Sequence, residues 1–133
     1  MISAQPVKTV AEILRGILEA PVDVLGDLYV VNKQRDLAVK SGDSTLWFKI
    51  DYEITFQDIH QQGKMLNKAE ILILPEELPV FSSALISQGA SLPSNYTQRL
   101  IMEPNVYCLY MESCERPELF AERLASALKA IKF

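Results

Sequence analysis

The chain has 133 residues, of which 49% are hydrophobic and 23% are charged, and its net charge is −4 at neutral pH. This length is enough for one domain with its own core, so we expect a single domain over residues 1–133. No run approaches the roughly 18 apolar residues of a membrane span and no signal peptide is visible, which predicts a cytoplasmic protein without a membrane anchor. The 13 Lys and Arg residues are scattered, which argues against nucleic acid as a partner.

The amino-terminal part of the chain predicts one helix followed by strands. Thr9 and Glu12 have the spacing of a capping box, and Pro21 ends the helix. Between them, apolar residues recur at helical spacing: Val10, Ile13, Leu14, Ile17 and Leu18. Strands are predicted at residues 24–31, 36–40 and 45–57, with a turn at residues 41–43.

The third of these strands carries the clearest pattern of the chain, a strict alternation of residue types. One row is apolar and consists of Leu46, Phe48, Ile50, Tyr52, Ile54 and Phe56. The other row is polar and is interrupted only by Trp47: Lys49, Asp51, Glu53 and Thr55 complete it. A period of two with one apolar row predicts a half-buried antiparallel strand, in a sheet with one packed face and one solvated face.

The carboxyl-terminal half predicts a strand, a helix, two strands and a final helix. A polar loop with His60 precedes the strand at residues 69–74, and the next helix starts near Pro79 and stops at Gly89. The last elements are predicted at residues 92–102, 105–112 and 117–131, and Arg123 is assigned to the solvated side of the last helix. The element order α-β-β-β-β-α-β-β-α predicts an α+β fold, an antiparallel sheet with helices packed on it.

Few residues suggest chemistry. With one histidine, His60, and two separated cysteines, no metal site is predicted, and no motif indicates a cofactor or a catalytic residue. His60 lies between polar residues, which favours an exposed side chain over a catalytic base. Cys108 lies within a predicted strand, where a buried thiol acts as a small hydrophobe. Cys114 precedes the last helix, whose dipole could lower its pKa, so it is the candidate reactive thiol.

Two pairs of charged residues leave alternatives open. Arg35 and Asp36 either tie a strand end to a neighbour through a salt bridge, which we favour, or capture an anionic ligand. Asp51 and Glu53 share one strand face, so they form either a carboxylate pair or part of a solvated face, and we favour the latter.

Aromatic residues on the predicted strands are the remaining candidates. They either fill the core, which we favour for most of them, or line a ligand pocket or partner surface. The set consists of Tyr96, Tyr107, Tyr110, Trp47 and Phe48.

The chain resembles the bacterial family of unknown function known from the LppY/LpqO lipoproteins. The resemblance covers residues 28–131 and follows the order of that family's segments: an Arg-Asp-Leu step, an apolar strand leading into an acidic helix entry with Pro-Val, a helix ending in Gly, two strands and a Leu/Ala-rich helix. The matching segments are Arg35-Asp36-Leu37, Ile71-Leu72-Ile73-Leu74-Pro75-Glu76-Glu77-Leu78-Pro79-Val80, Ala84-Leu85, Gly89, Glu103-Pro104 and residues 124–128.

The chain departs from this family where the family has its most chemical feature. The resemblance implies a His-Asn-His step after the central helix and a further His in the next strand, whereas this chain has Tyr96-Thr97-Gln98 and Tyr110. Tyrosine and glutamine are poor substitutes for histidine in metal binding or proton transfer at neutral pH. The expected binding residues are therefore Arg35, Asp36, Tyr96, Gln98 and Tyr110, in a member without histidine chemistry.

Two classes of function remain after these comparisons of residue types. The first is a non-catalytic binding or protein-interaction domain, and its element order also resembles that of the dimeric type III secretion chaperones. The second is a small ligand-binding domain or enzyme with a pocket lined by aromatic strand residues. We favour the first class and expect a homodimer that buries part of an uncovered apolar surface, with a protein partner or a small molecule as the ligand.

Overall fold

The computed structural model describes residues 9–87, 97–103 and 106–133. Three helices are α1 (Val10–Leu18), α2 (Leu78–Ile86) and α3 (Pro117–Ala130), and a short 3-10 helix, Pro75–Glu77, leads into α2. The six strands are β1 (Asp23–Leu25), β2 (Leu28–Ser41), β3 (Ser44–Gln61), β4 (Lys64–Ile73), β5 (Thr97–Glu103) and β6 (Val106–Glu115).

The strands form one antiparallel sheet in the order β1-β2-β3-β4-β6-β5. The observed element order is the one predicted, and the α+β fold class is confirmed. Side chains from all three helices join one face of the sheet in a continuous core. We call this covered side the inner face and the other side the open face.

The core lies between the inner face and the helices. Tyr52, Ile54 and Phe56 of β3 are fully buried, as the alternation predicts, and they meet Phe120 of α3 and Leu14 of α1 in one apolar cluster. Phe56 contacts Phe120 edge to face, with ring centroids 6.1 Å apart. This packing makes the central part of β3 the rigid base of the sheet.

The hairpin turns correct several predicted strand boundaries. Gly26 and Gly42 have φ of +61° and +62° and occupy the first position of two-residue turns, where glycine avoids the strain that a Cβ would cause. The predicted strand at residues 24–31 is therefore divided at Gly26, and residues 28–41 form one continuous strand. His60 lies at a bulge within β3 instead of in a loop, and β4 begins at Lys64 after a tight turn at Gln62-Gly63.

The helices follow their predicted signals at most ends. Thr9 caps α1 and accepts a 3.2 Å hydrogen bond from the backbone N–H of Glu12. Helix α2 contains Pro79 in its first turn, and the predicted stop at Gly89 lies outside the described residues. Helix α3 has the predicted extent to within one residue, but the assignment of Arg123 to its solvated side is wrong, because this side chain is buried.

Candidate binding surface

The hairpin of β2 and β3 extends as an arm, which we define as residues 36–49. All of β3 from residue 44 to 49 is exposed, whereas alternate residues are buried from Ile50 to Phe56. Three consecutive large apolar side chains are therefore accessible: Leu46 is 47% exposed, Trp47 71% and Phe48 44%. The prediction that Leu46 and Phe48 lie on a packed face is wrong, because the helix layer does not cover this part of the strand.

Arg35 marks the place where the helix layer ends. Its guanidinium pairs with both carboxylate oxygens of Glu77 and donates a 2.6 Å hydrogen bond to the backbone carbonyl of Ile131, just past α3. It also lies 4.4 Å from the centre of the Phe133 ring. These contacts tie the carboxyl-terminal end of α3 and the entry of α2 to β2, and the arm begins at the next residue.

Asp36, the second residue of the predicted charged pair, takes no part in this cluster. It is exposed and lies opposite Lys49 in the register of β2 and β3. The salt bridge of Arg35 is therefore made with Glu77 from another element. With its side chain only 10% exposed, the Arg35 guanidinium has little surface left for an anionic ligand.

A second candidate is a depression of about 480 Å³ on the open face of β4, β6 and β5. Its floor contains the cross-strand row Glu70, Tyr110 and Arg99, in which the Arg99 guanidinium lies 5.3 Å from the centre of the Tyr110 ring. The pKa of Tyr110 is raised above its usual value, first by a hydrogen bond with the Cys108 side chain and then by the charges of Cys108 and Glu70. The neighbouring row contains Lys68, Glu112 and Thr97.

The structure describes the two other residues predicted around Tyr110 only in part. Tyr96 lies outside the described residues, and for Gln98 the structure describes the backbone position in β5. The register sets Gln98 opposite Met111, whereas Tyr110 is opposite Arg99. The register therefore does not place Gln98 and Tyr110 in one cross-strand row.

Beneath α3 lies a buried polar cluster that the sequence analysis missed. Glu115 and Arg123 form an ion pair whose side chains are 7% and 6% exposed. Asn67 donates to the backbone carbonyl of Glu115 at 3.1 Å and to the Ser113 hydroxyl at 3.4 Å. A polar residue in an otherwise apolar row of β4, at Asn67, was the available signal. Both charges are engaged within the protein, so the cluster is structural.

His60 is exposed, and the two thiols are half-buried. His60 Nε2 lies 3.3 Å from Asp27 Oδ2, and His60 Nδ1 lies 3.7 Å from Asp58 Oδ1. The prediction that Cys108 is buried in the core is wrong, because the side chain is only half-buried. Its position in β6 alternates with those of the buried residues Leu109 and Met111. Cys114 is equally half-buried, and its greater reactivity stays a prediction.

Several comparisons bear on the identity of the chain. In the described part of the chain no helix is long and apolar enough to cross a membrane, and no three His, Cys, Asp or Glu residues there are grouped to hold a metal ion. Neither a curated protein nor a solved structure matches the chain. A family model matches residues 12–130, which is most of its length. The chain belongs to the family described as Domain of Unknown Function (DUF1259).

Proposed function

We propose that this chain is a non-catalytic protein-interaction domain whose arm contacts the partner. The observation that carries this proposal is the run Leu46, Trp47 and Phe48, three large apolar side chains exposed in succession. Because successive side chains of a strand point to opposite faces, Leu46 and Phe48 lie on one side of the arm and Trp47 on the other. Both sides of the arm therefore expose large apolar side chains, and grouped exposure of this kind marks a contact surface more often than a single exposed apolar residue does. Tryptophan is also the residue type most enriched among those that dominate binding energy.

The construction of the arm supports this role. The ladder between β2 and β3 is regular along the whole arm, from Arg35 opposite Ile50 to Ser41 opposite Ser44. Arg35 and its partners fix the base of the arm to the helix layer, so the arm is held in one direction. A partner can therefore bind a pre-formed apolar tip without the ordering cost that a flexible loop would have.

The absence of catalysis is supported by the family resemblance. We place the chain among the LppY/LpqO-like members and infer that it lacks their histidines, since Tyr96-Thr97-Gln98 and Tyr110 stand at the matching positions. The single histidine of the chain is exposed, and its ring lies close to the carboxylates of Asp27 and Asp58. A general base paired with a nucleophile is the minimum for most covalent mechanisms, and His60 is not part of one.

Affinity capture with matched variants tests the arm. Wild-type chain, a Leu46→Ser/Trp47→Ser/Phe48→Ser variant and an Ile101→Ser control are immobilised and exposed to lysate of the source organism. Ile101 is 41% exposed on β5, so the control makes the same type of change away from the arm. We expect proteins retained by the wild type and the control to be lost from the arm variant. Equal capture by all three, with unchanged circular dichroism, would contradict the proposal.

A second candidate function is binding of a small zwitterionic molecule in the depression around Tyr110. Its volume of about 480 Å³ falls within the range of ligand sites, about 300 to 1,000 Å³. Its cations, Lys68 and Arg99, are balanced by Glu70 and Glu112, which suits a ligand that carries both charges.

Thermal unfolding with a panel of amino acids and other zwitterions tests this candidate. A ligand at 100 times its dissociation constant adds about 2.7 kcal/mol to the free energy of unfolding. The stabilisation should disappear in Arg99→Ala and persist in Arg116→Ala, where the exposed arginine lies outside the depression. No stabilisation by any member of the panel, or stabilisation that persists in Arg99→Ala, would count against this candidate.

A further inference from the structure

The outer edge of β2 is open along the arm. Strand β1 pairs only with Leu28, Tyr29 and Val30, and in the described part of the chain no other strand pairs with that edge from residue 31 to 41. Two of the usual protections of an edge are missing from this stretch, because it contains no proline and its ladder with β3 has no bulge. A long, regular edge of this type is a template for another strand.

The two hairpin turns show which backbone groups point outward. The pair that closes a two-residue hairpin exchanges both of its backbone hydrogen bonds, and these pairs are Leu25 with Leu28 and Ser41 with Ser44. Even-numbered residues of β2 therefore direct their N–H and C=O groups toward the β1 side, and odd-numbered residues direct theirs toward β3. Beyond β1, the outward groups belong to five exposed residues: Asn32, Gln34, Asp36, Ala38 and Lys40.

We propose that the open edge of β2 pairs with the same edge of a second copy, antiparallel and centred on Ala38. Two-fold symmetry about Ala38 sets Asp36 opposite the partner's Lys40 and Lys40 opposite the partner's Asp36. Centring the axis on Asp36 would instead set two carboxylates against each other, which is unfavourable. Centring the axis on Leu37 would set Lys40 opposite the partner's Gln34, which is uncharged. Charge complementarity therefore selects the Ala38 register.

This register fits the rest of the arm. Residues 35–41 of the two copies pair, and β1, which lies beside Leu28–Val30, stays outside the paired segment. In this register Leu37 comes opposite the partner's Val39, so neither residue is paired with a charge. The two sheets become one continuous sheet, and Trp47 remains on its open face. The proposal thus goes beyond the proposed function, because it concerns the backbone edge and leaves the tryptophan available for a different protein.

Cysteine cross-linking tests the register. Opposed residues of a hydrogen-bonded antiparallel pair have Cα atoms about 5.5 Å apart, within the range that a disulfide spans. Ala38→Cys should therefore form a disulfide-linked dimer under mild oxidation. Gln34→Cys is the matched control, because it is exposed on the same row but lies more than about 20 Å from its counterpart in this register. Wild-type chain measures the background from the two native cysteines. Equal linking of the two variants would overturn the register.

Charge reversal tests the same pairing without cysteine. Each single change, Asp36→Lys or Lys40→Asp, should weaken dimerisation by about 10-fold or more, because symmetry makes two like-charged pairs at once. The double variant Asp36→Lys/Lys40→Asp should restore it. Analytical ultracentrifugation gives the dissociation constants, and unaffected dimerisation in the single variants would overturn the proposed edge.

A monomeric wild type at every concentration would also overturn the dimer. In that case the loss of captured protein from the Leu46→Ser/Trp47→Ser/Phe48→Ser variant would still stand as support for the interaction function. The opposite result is a dimer with the predicted cross-link together with protein capture that does not depend on the arm. It would support the edge-paired dimer and contradict the proposed interaction function.

Discussion

Replacing Arg123 by methionine should destabilise the chain severely, although arginine on a helix surface is usually a tolerant position. The guanidinium pairs with Glu115, and both side chains are more than nine-tenths buried between α3 and the sheet. Removing it leaves a carboxylate inside the protein without its counter-charge. Loss of one partner from a buried pair costs about 3 to 5 kcal/mol.

The size of this effect should depend on whether the second charge is present. Glu115 Oε2 and Arg123 Nε have no protein hydrogen-bond partner within the described residues, so the pair is incompletely compensated. Replacing such a pair by apolar residues of similar volume is often neutral or stabilising. We therefore expect the free energy of unfolding of Glu115→Met/Arg123→Met to lie within about 1 kcal/mol of the wild-type value, because methionine adapts well to irregular space.

Urea unfolding of the wild type, the two single variants and the double variant forms a complete mutant cycle. The predicted loss for Arg123→Met is a large part of the 5 to 15 kcal/mol that stabilises a typical domain, so its midpoint should fall clearly. A loss below about 1 kcal/mol in Arg123→Met, or a double variant that loses the sum of both single changes, would refute the buried-pair reasoning.

Two further predictions concern Tyr52 and the base of the arm. Burial raises the pKa of Tyr52 from 10.0 to about 12. The free energy of unfolding should therefore fall by up to about 2 to 3 kcal/mol as the pH rises from 10 to about 12. Urea unfolding across this range should show a smaller loss in Tyr52→Phe than in the wild type, and equal losses would contradict the assignment. Glu77→Gln should lower the free energy of unfolding by about 1.5 to 3 kcal/mol, because it weakens the charged hydrogen bonds to Arg35. The control Glu76→Gln, at an exposed neighbouring position, should change the free energy of unfolding by less than about 0.5 kcal/mol. Similar losses in both variants would contradict the role of Glu77 at the base of the arm.

The fold was predictable because its local signals agree with one another. Alternation in β3 gives the correct inner row from Ile50 onward, and the order of helices and strands follows from prolines, caps and periodicity. The arm could not be predicted in the same way. Leu46 and Phe48 continue the pattern of Tyr52 without change, and the end of the helix layer is set by the contact of Arg35 with Ile131, far away in the sequence.

The errors at Arg123 and Gly26 have different causes. Arg123 stands three residues after Phe120 and four before Ala127, which is an inward position on α3. Its charge suggested solvent, and its buried partner on β6 cannot be seen from helical periodicity. The Gly26-Asp27 step is a turn signal, but the apolar residues on either side of it led to the prediction of one strand at residues 24–31. Trp47 was the visible clue to the exposed arm, because it interrupted a polar row.

Quenching of tryptophan fluorescence tests most directly that the tip of the arm is accessible to a partner. Trp47 is the only tryptophan of the chain and is 71% exposed, so its emission reports on the arm alone. In dilute folded chain, acrylamide should quench this emission nearly as efficiently as it does after unfolding in urea. Strong protection of Trp47 in the folded chain, relieved only by urea, would show that the arm is covered and would contradict the proposed interaction surface.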